Sequence, residues 1–205
     1  MIDTLKHKGM RKKLIEELRL KGIDNELVLD AMMDIPRHLF FFDTAFLHMA
    51  YVDKAFPIGS GQTISQPYTV AFQTSLLNPR KREKILEKGT GSGYQTAVLA
   101  KLGMKIFTIE RQQALHAKSQ SLLEEMGYKA RCYYGDGYAG KPAFAPFDKM
   151  IVTAGAKEIP EALKNQLKIR GVLVIPVGDD NVQKMYRITR ISEKEFKKEE
   201  FADFR

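Results

Sequence analysis

Residues 87–93 read Glu-Lys-Gly-Thr-Gly-Ser-Gly, with glycines at the alternate positions 89, 91 and 93. Glycines in such a run let the backbone turn tightly and approach a ligand closely. A helix that follows offers unpaired N–H groups to a negative group. The pattern is weak by itself, and its acidic neighbours strengthen it. Glu110 ends an apolar run, where a carboxylate can accept hydrogen bonds from both hydroxyls of a ribose. Asp136, between Gly135 and Gly137, is a second acceptor, suited to the amino group of an adenine. No Gly-Lys-Ser/Thr follows the turn, which excludes a P-loop. These residues describe a site for an adenosine-type ligand. NAD and S-adenosylmethionine both fit. The turn is one residue shorter than the dinucleotide Gly-x-Gly-x-x-Gly, and the second carboxylate suits an adenosine lacking a pyrophosphate, so S-adenosylmethionine is favoured.

Such a turn works only between a strand and a helix, and the surrounding pattern supplies both. Short apolar runs predict strands at 84–88, 105–109, 130–134, 147–153 and 171–177. Helical spacing predicts helices at 94–102, 112–126 and 159–167, the last with Pro160 in its first turn. Two closing strands, 185–190 and 197–204, have no helix between them and predict an antiparallel edge. Alternating strands and helices specify an α/β fold: a doubly wound, mostly parallel, seven-stranded Rossmann-like sheet with helices on both faces. Ahead of it lies an N-terminal helical extension. Leu5, Leu14, Ile15 and Leu18 mark a first helix, stopped by Gly22; Asp24 is the expected N-cap of a second, which ends at Pro36. The aromatic segment 39–46 is expected to pack on the body of the fold. Residues 51–66 are rich in Gly, Pro, Thr and Ser and read as a long ordered loop, and 68–77 returns to a helical pattern.

Composition narrows the class. The chain has 205 residues, 33 basic and 25 acidic, for a formal charge of +8. One cysteine, Cys132, excludes an internal disulfide scaffold. No apolar run approaches the ~20 residues of a membrane span. The N-terminus lacks the apolar core of a secretory signal. The expectation is a cytoplasmic, monomeric protein of one domain over 1–205, with 1–78 an extension and 79–205 the core. His7, His38, His48 and His116 show no metal-ligand spacing, so no metal is expected.

Several segments together closely resemble the protein-L-isoaspartate O-methyltransferase family. They are Ile58-Gly-Ser-Gly-Gln-Thr-Ile-Ser-Gln-Pro-Tyr68, Leu86 to Ala97, Ile109-Glu110-Arg111, Gly135-Asp136-Gly137, Ala145 to Asp148, Val152-Thr153-Ala154 and Ile175-Pro-Val-Gly178. The likeness spans nearly the whole chain. The Gly-Gln-Thr-Ile-Ser-Gln-Pro loop is far more specific than the glycine turn, which all class I methyltransferases share. The resemblance implies methyl transfer from S-adenosylmethionine to the α-carboxylate of L-isoaspartyl residues in damaged proteins and peptides. The ester then closes to a succinimide, whose hydrolysis restores some aspartate. It implies Ser65 as the active-site serine, with Thr63 and Ile64 lining the substrate pocket beside it. It implies Gly89, Thr90, Gly91, Ser92, Gly93, Glu110, Arg111, Asp136 and Gly137 as cofactor positions. By composition alone Ser65 would be an ordinary turn hydroxyl.

Two departures stand out. Lys88 occupies a position where the family has an aliphatic residue, and an unpaired ammonium inside a sheet is costly. It is expected to reach solvent, pair with a carboxylate, or face the cofactor's methionine carboxylate. Family members also continue past Phe204-Arg205 with a Phe-Val-Pro-Leu-like stretch that helps wall the substrate site. Competing readings are a nucleic-acid methyltransferase, suggested by the charge; a binding module without transfer activity; and an NAD-dependent oxidoreductase. The basic residues are interleaved with acidic ones, which reads as a solvated surface with no specific nucleic-acid partner.

Overall fold

The computed structural model describes residues 2–179 and 182–204. The first helix, α1 (Leu5–Leu20), opens with a reciprocal cap in which the Thr4 side chain accepts the His7 amide and the His7 ring accepts the Thr4 amide. The second, α2 (Glu26–Asp34), is capped by Asn25, whose side chain accepts the Val28 amide. The expected cap at Asp24 is therefore one residue early. Asn25 offers a side-chain carbonyl acceptor three residues before that amide.

The stretch expected to be a loop contains a hairpin, β1 (Phe56–Gly59) with β2 (Gln62–Ile64), paired antiparallel. Ser60 and Gly61 turn it with φ of 51° and 66°. Two left-handed residues give a turn whose twist matches the strands. Alternation of Phe56 and Ile58 inward with Pro57 and Gly59 outward is the signal that could have revealed it. The chain then enters α3 (Pro67–Leu77), with Pro67 at the first helical position.

The main sheet has the order β5-β4-β3-β6-β7-β8-β9. The parallel strands are β3 (Lys84–Lys88), β4 (Lys105–Glu110), β5 (Ala130–Tyr134), β6 (Phe147–Val152) and β7 (Leu167–Gly178). The last pair, β8 (Gln183–Arg190) and β9 (Phe196–Phe204), closes the edge antiparallel, as expected. Between them run α4 (Tyr94–Lys101), α5 (Gln113–Glu125) and α6 (Glu161–Asn165). The helix expected over 159–167 is thus only five residues long, with Pro160 capping it from outside. Strand β7 takes over at Leu167, where Leu167 pairs with Phe147 before a register shift.

Successive residues of β3 point to opposite faces, as strand geometry requires. Ile85 joins Ile106, Ile151 and Val174 beneath α3 and α4, through Leu77 and Leu99. Leu86 joins Phe107, Met150 and Leu173 on the other face, under Leu163 of α6. The extension packs onto the first of these faces: Leu18, Leu29, Met32 and Phe40 share a cluster with Val70 of α3 and Ala97 of α4. Strand order reverses between β3 and β6, so their carboxyl ends open a crevice where such sheets bind ligands.

Candidate functional site

A cavity of about 610 Å³ fills that crevice. Ligand sites commonly span about 300–1,000 Å³. Its floor is the turn after β3: Gly89, Thr90, Gly91 and Ser92 line it. Gly89 has φ of +97°, and a Cβ there would stand 2.5 Å from Thr153 Oγ1. Only glycine fits, because Thr153 bonds back to the Lys88 and Gly89 carbonyls across the switch point. Glu110, 4% exposed, ends β4 at the cavity wall. Its two oxygens accept the Gly91 and Gln112 amides, each at 2.8 Å. The carboxylate thus shapes the turn and keeps lone pairs for a ligand's hydroxyls. Gly93 precedes α4 as its N-cap residue, and the Ser92 Oγ accepts the amide of Tyr94, the first helical residue, at 3.3 Å. An open glycine cradle and a buried carboxylate fit the adenosyl group of S-adenosylmethionine.

A further part of the wall comes from the hairpin and the linker after it. Thr63, Ile64, Ser65 and Gln66 line the cavity, joined by Asp53 and Lys54. Ser65 therefore faces the same space as Glu110. Asp53 was not singled out in the sequence, yet it organises this wall. Its Oδ1 accepts the Tyr68 amide at 2.8 Å, capping α3 from fifteen residues away, and its Oδ2 accepts from Lys21 Nζ and Gln66. A cap distant in sequence leaves no local pattern. The far end is formed by Thr153, Ala154 and Gly155 with Gln183 and Met185 of β8.

Some expected positions stand apart. Gly93, Arg111, Asp136 and Gly137 are not among the residues lining the cavity, and Arg111 and Asp136 are exposed. Lys88 does not line it either. Its stem packs on Gly137, where a Cβ would be 3.0 Å from Lys88 Cγ, and its Nζ lies 5.6 Å from the centre of the Tyr138 ring. The ammonium snorkels outward over an aromatic face. Arg205 lies outside the described residues.

Two further groups were invisible in the sequence. Glu87, fully buried, accepts from Thr96 Oγ1, and burial pushes its carboxyl up to about 7. Folding also brings ligand atoms of Asp3, His7 and His38 within 4.8 Å of one another, which their spacing did not suggest. Arg11 donates to both Asp3 oxygens, and the two imidazole rings lie 3.8 Å apart between centres, tilted by 32°. That cluster fastens the N-terminus to the aromatic segment.

The family described as protein-L-isoaspartate(D-aspartate) O-methyltransferase matches residues 9–205. The chain belongs to this family. It is a methyltransferase, and S-adenosylmethionine is its cofactor. Among its relatives, a protein-L-isoaspartate O-methyltransferase of Cytophaga hutchinsonii is 56% identical over 205 residues, covering 100% of this chain and 92% of the relative. One from Salinibacter ruber is 45% identical, covering 99% and 92%. A solved structure of a family member from Plasmodium falciparum, in complex with S-adenosyl-L-homocysteine, superposes with a TM-score of 0.81 at 26% identity, covering 95% of each chain. No helix among the described residues is long and apolar enough to cross a membrane.

Proposed function

We propose that this chain methylates the α-carboxylate of L-isoaspartyl residues in proteins and peptides, starting their repair through a succinimide, with Ser65 contacting the acceptor. The observation that carries the division of labour is that Ser65 and Glu110 line one and the same cavity. When bound, S-adenosylmethionine supplies a methyl group on a positively charged sulfur. Gly89, Thr90, Gly91, Ser92 and Glu110 hold the adenosyl end. In this reading Gly93, Arg111, Asp136 and Gly137 complete that end from its margin.

The acceptor carboxylate is ionised at pH 7, since free carboxyl groups of this kind titrate near ~4, so no strong base has to remove a proton. The cavity's task is placement. Ser65 hydrogen-bonds the carboxylate, and Thr63 and Ile64 wall it from water. Orientation of this kind is worth up to ~7–11 kcal/mol. The surplus charge fits this reading too. Arg19, Lys21, Lys101, Lys168 and Arg187 are engaged in ion pairs with acidic neighbours, and Arg80-Lys81-Arg82 is an exposed turn, so these basic residues form a mixed, solvated surface. We read the whole chain as one cytoplasmic, monomeric domain without a specific nucleic-acid partner.

The test uses labelled S-adenosylmethionine with paired peptides, one isoaspartyl and one normal aspartyl. The expected result is base-labile methyl ester on the isoaspartyl peptide alone. Label on neither peptide, or equal label on both, refutes the reading.

A further inference from the structure

A cation is buried beneath the Ser65 linker. Arg37 is 1% exposed. Its Nε donates to the Ala50 carbonyl at 3.0 Å and its Nη2 to the Ser65 carbonyl at 2.9 Å. Its Nη1 is buried with no hydrogen-bond partner among the described residues. The guanidinium lies over the ring of Tyr94, 4.8 Å from its centre, and 5.6 Å from that of Phe41. Burial lowers its pKa to about 10, against the nearby Tyr94, Asp53 and Tyr51, so it remains charged at neutral pH.

A buried charge whose bonds go to carbonyls and ring faces is expensive to keep. Its contacts suggest what the cost supports. Tyr94 is the first residue of α4, directly after the glycine turn, and it lines the cavity. Ser65 lines the same cavity. Arg37 therefore touches both the linker that presents the acceptor and the helix start that receives the cofactor. Asp53 holds the next residues of the same linker through Gln66 and the Tyr68 amide.

We propose that Arg37 is a positioning residue for methyl transfer: it clamps the Ser65 carbonyl against the Tyr94 ring and so sets the distance between the two halves of the cavity. The proposal rests on the reading of Ser65 as the acceptor contact. Misplacement by about 1 Å can cost roughly a hundredfold in rate, whereas the glycine turn and Glu110 stay in place without the clamp.

The test compares the Arg37→Met and Arg37→Lys variants with the wild type by three readouts. These are kcat and KM on an isoaspartyl peptide, S-adenosylhomocysteine affinity by calorimetry, and amide hydrogen exchange over residues 62–69. Arg37→Met should lower kcat by about 30- to 100-fold, leave the affinity within about threefold, and speed exchange at Gln66 and Tyr68 about tenfold. Arg37→Lys, which keeps the charge and can reach one carbonyl, should recover at least about fivefold of the lost kcat. A Met variant with kcat near wild type, or an affinity that falls in step with kcat, overturns the proposal. Should the Met variant not fold, the Lys variant decides: lower kcat at unchanged affinity supports the clamp, and wild-type kcat refutes it. A wild-type enzyme that methylates no isoaspartyl peptide sinks the substrate reading instead. The exchange readout, which needs no turnover, then decides the clamp: unchanged exchange refutes it.

Discussion

The Glu110 carboxylate accepts the Gly91 amide across 2.8 Å, tying the end of β4 to the middle of the glycine turn. Its other oxygen holds the Gln112 amide. One side chain therefore builds the turn and faces the cofactor. Glu110→Ala should weaken S-adenosylmethionine binding by at least about tenfold, because it removes a charge-assisted acceptor and leaves two amides unpaired. Calorimetry on the folded variant checks this, and affinity within twofold of wild type would refute it.

Ser65 lines the same cavity as the turn, from the linker after the hairpin. Ser65→Ala should lower turnover on isoaspartyl peptide while S-adenosylmethionine affinity stays within about an order of magnitude. Lost cofactor binding in a folded variant would contradict the proposed division of the cavity.

Gly89 and Gly91 both have positive φ, but they differ in the space around them. A Cβ at Gly89 would meet Thr153 Oγ1 at 2.5 Å, while one at Gly91 would rest 3.6 Å from Ile58 Cδ1. Gly89→Ala should cost both thermal stability and cofactor affinity. Gly91→Ala carries only the backbone penalty of about 1–2 kcal/mol for a left-handed residue. A thermal melt of each variant ranks them, and equal melting temperatures would falsify the steric account.

Glu87 makes stability depend on pH. Desolvation raises its carboxyl to about 7, opposed by hydrogen bonds from Thr96 and Thr108 and aided by Glu110. The folded state therefore holds a proton that the unfolded chain releases near 4.5. The stabilisation is full below about pH 4.5 and is lost as pH rises to about 7. Between pH 5 and 8 the wild type should lose about 2 kcal/mol relative to Glu87→Gln, which cannot ionise. Denaturant titrations at the two pH values measure the difference; parallel behaviour of the two proteins would show that Glu87 does not titrate this way.

Lys88 packs along Gly137 and reaches the Tyr138 ring, away from the cavity. Lys88→Ile should leave S-adenosylmethionine affinity within about threefold. A tenfold loss would restore the alternative that its ammonium meets the cofactor's carboxylate.

The sequence by itself determined the alternation of elements and the cofactor turn. Strand β5 was legible at both ends and β3 likewise, because short apolar runs bounded by Gly, Pro and charged residues are local signals. The glycine turn and Glu110 were legible for the same reason, since each marks a strand's carboxyl end. The Ser65 loop was legible only through its likeness to a family. Tertiary structure decided everything that joins distant segments. Asp53 caps α3 across fifteen residues, Arg37 reaches Ser65 across 28, and Glu87 becomes a buried acid once α4 closes over it. No periodicity encodes such contacts. The Asp53 and Arg37 contacts exist because the segment before α3 packs against it and α4, and the Glu87 contact because α4 packs on β3; in each case burial obliges a polar group to find a partner. The charge of Arg37 and the proton of Glu87 are consequences of that burial, and composition alone assigns neither.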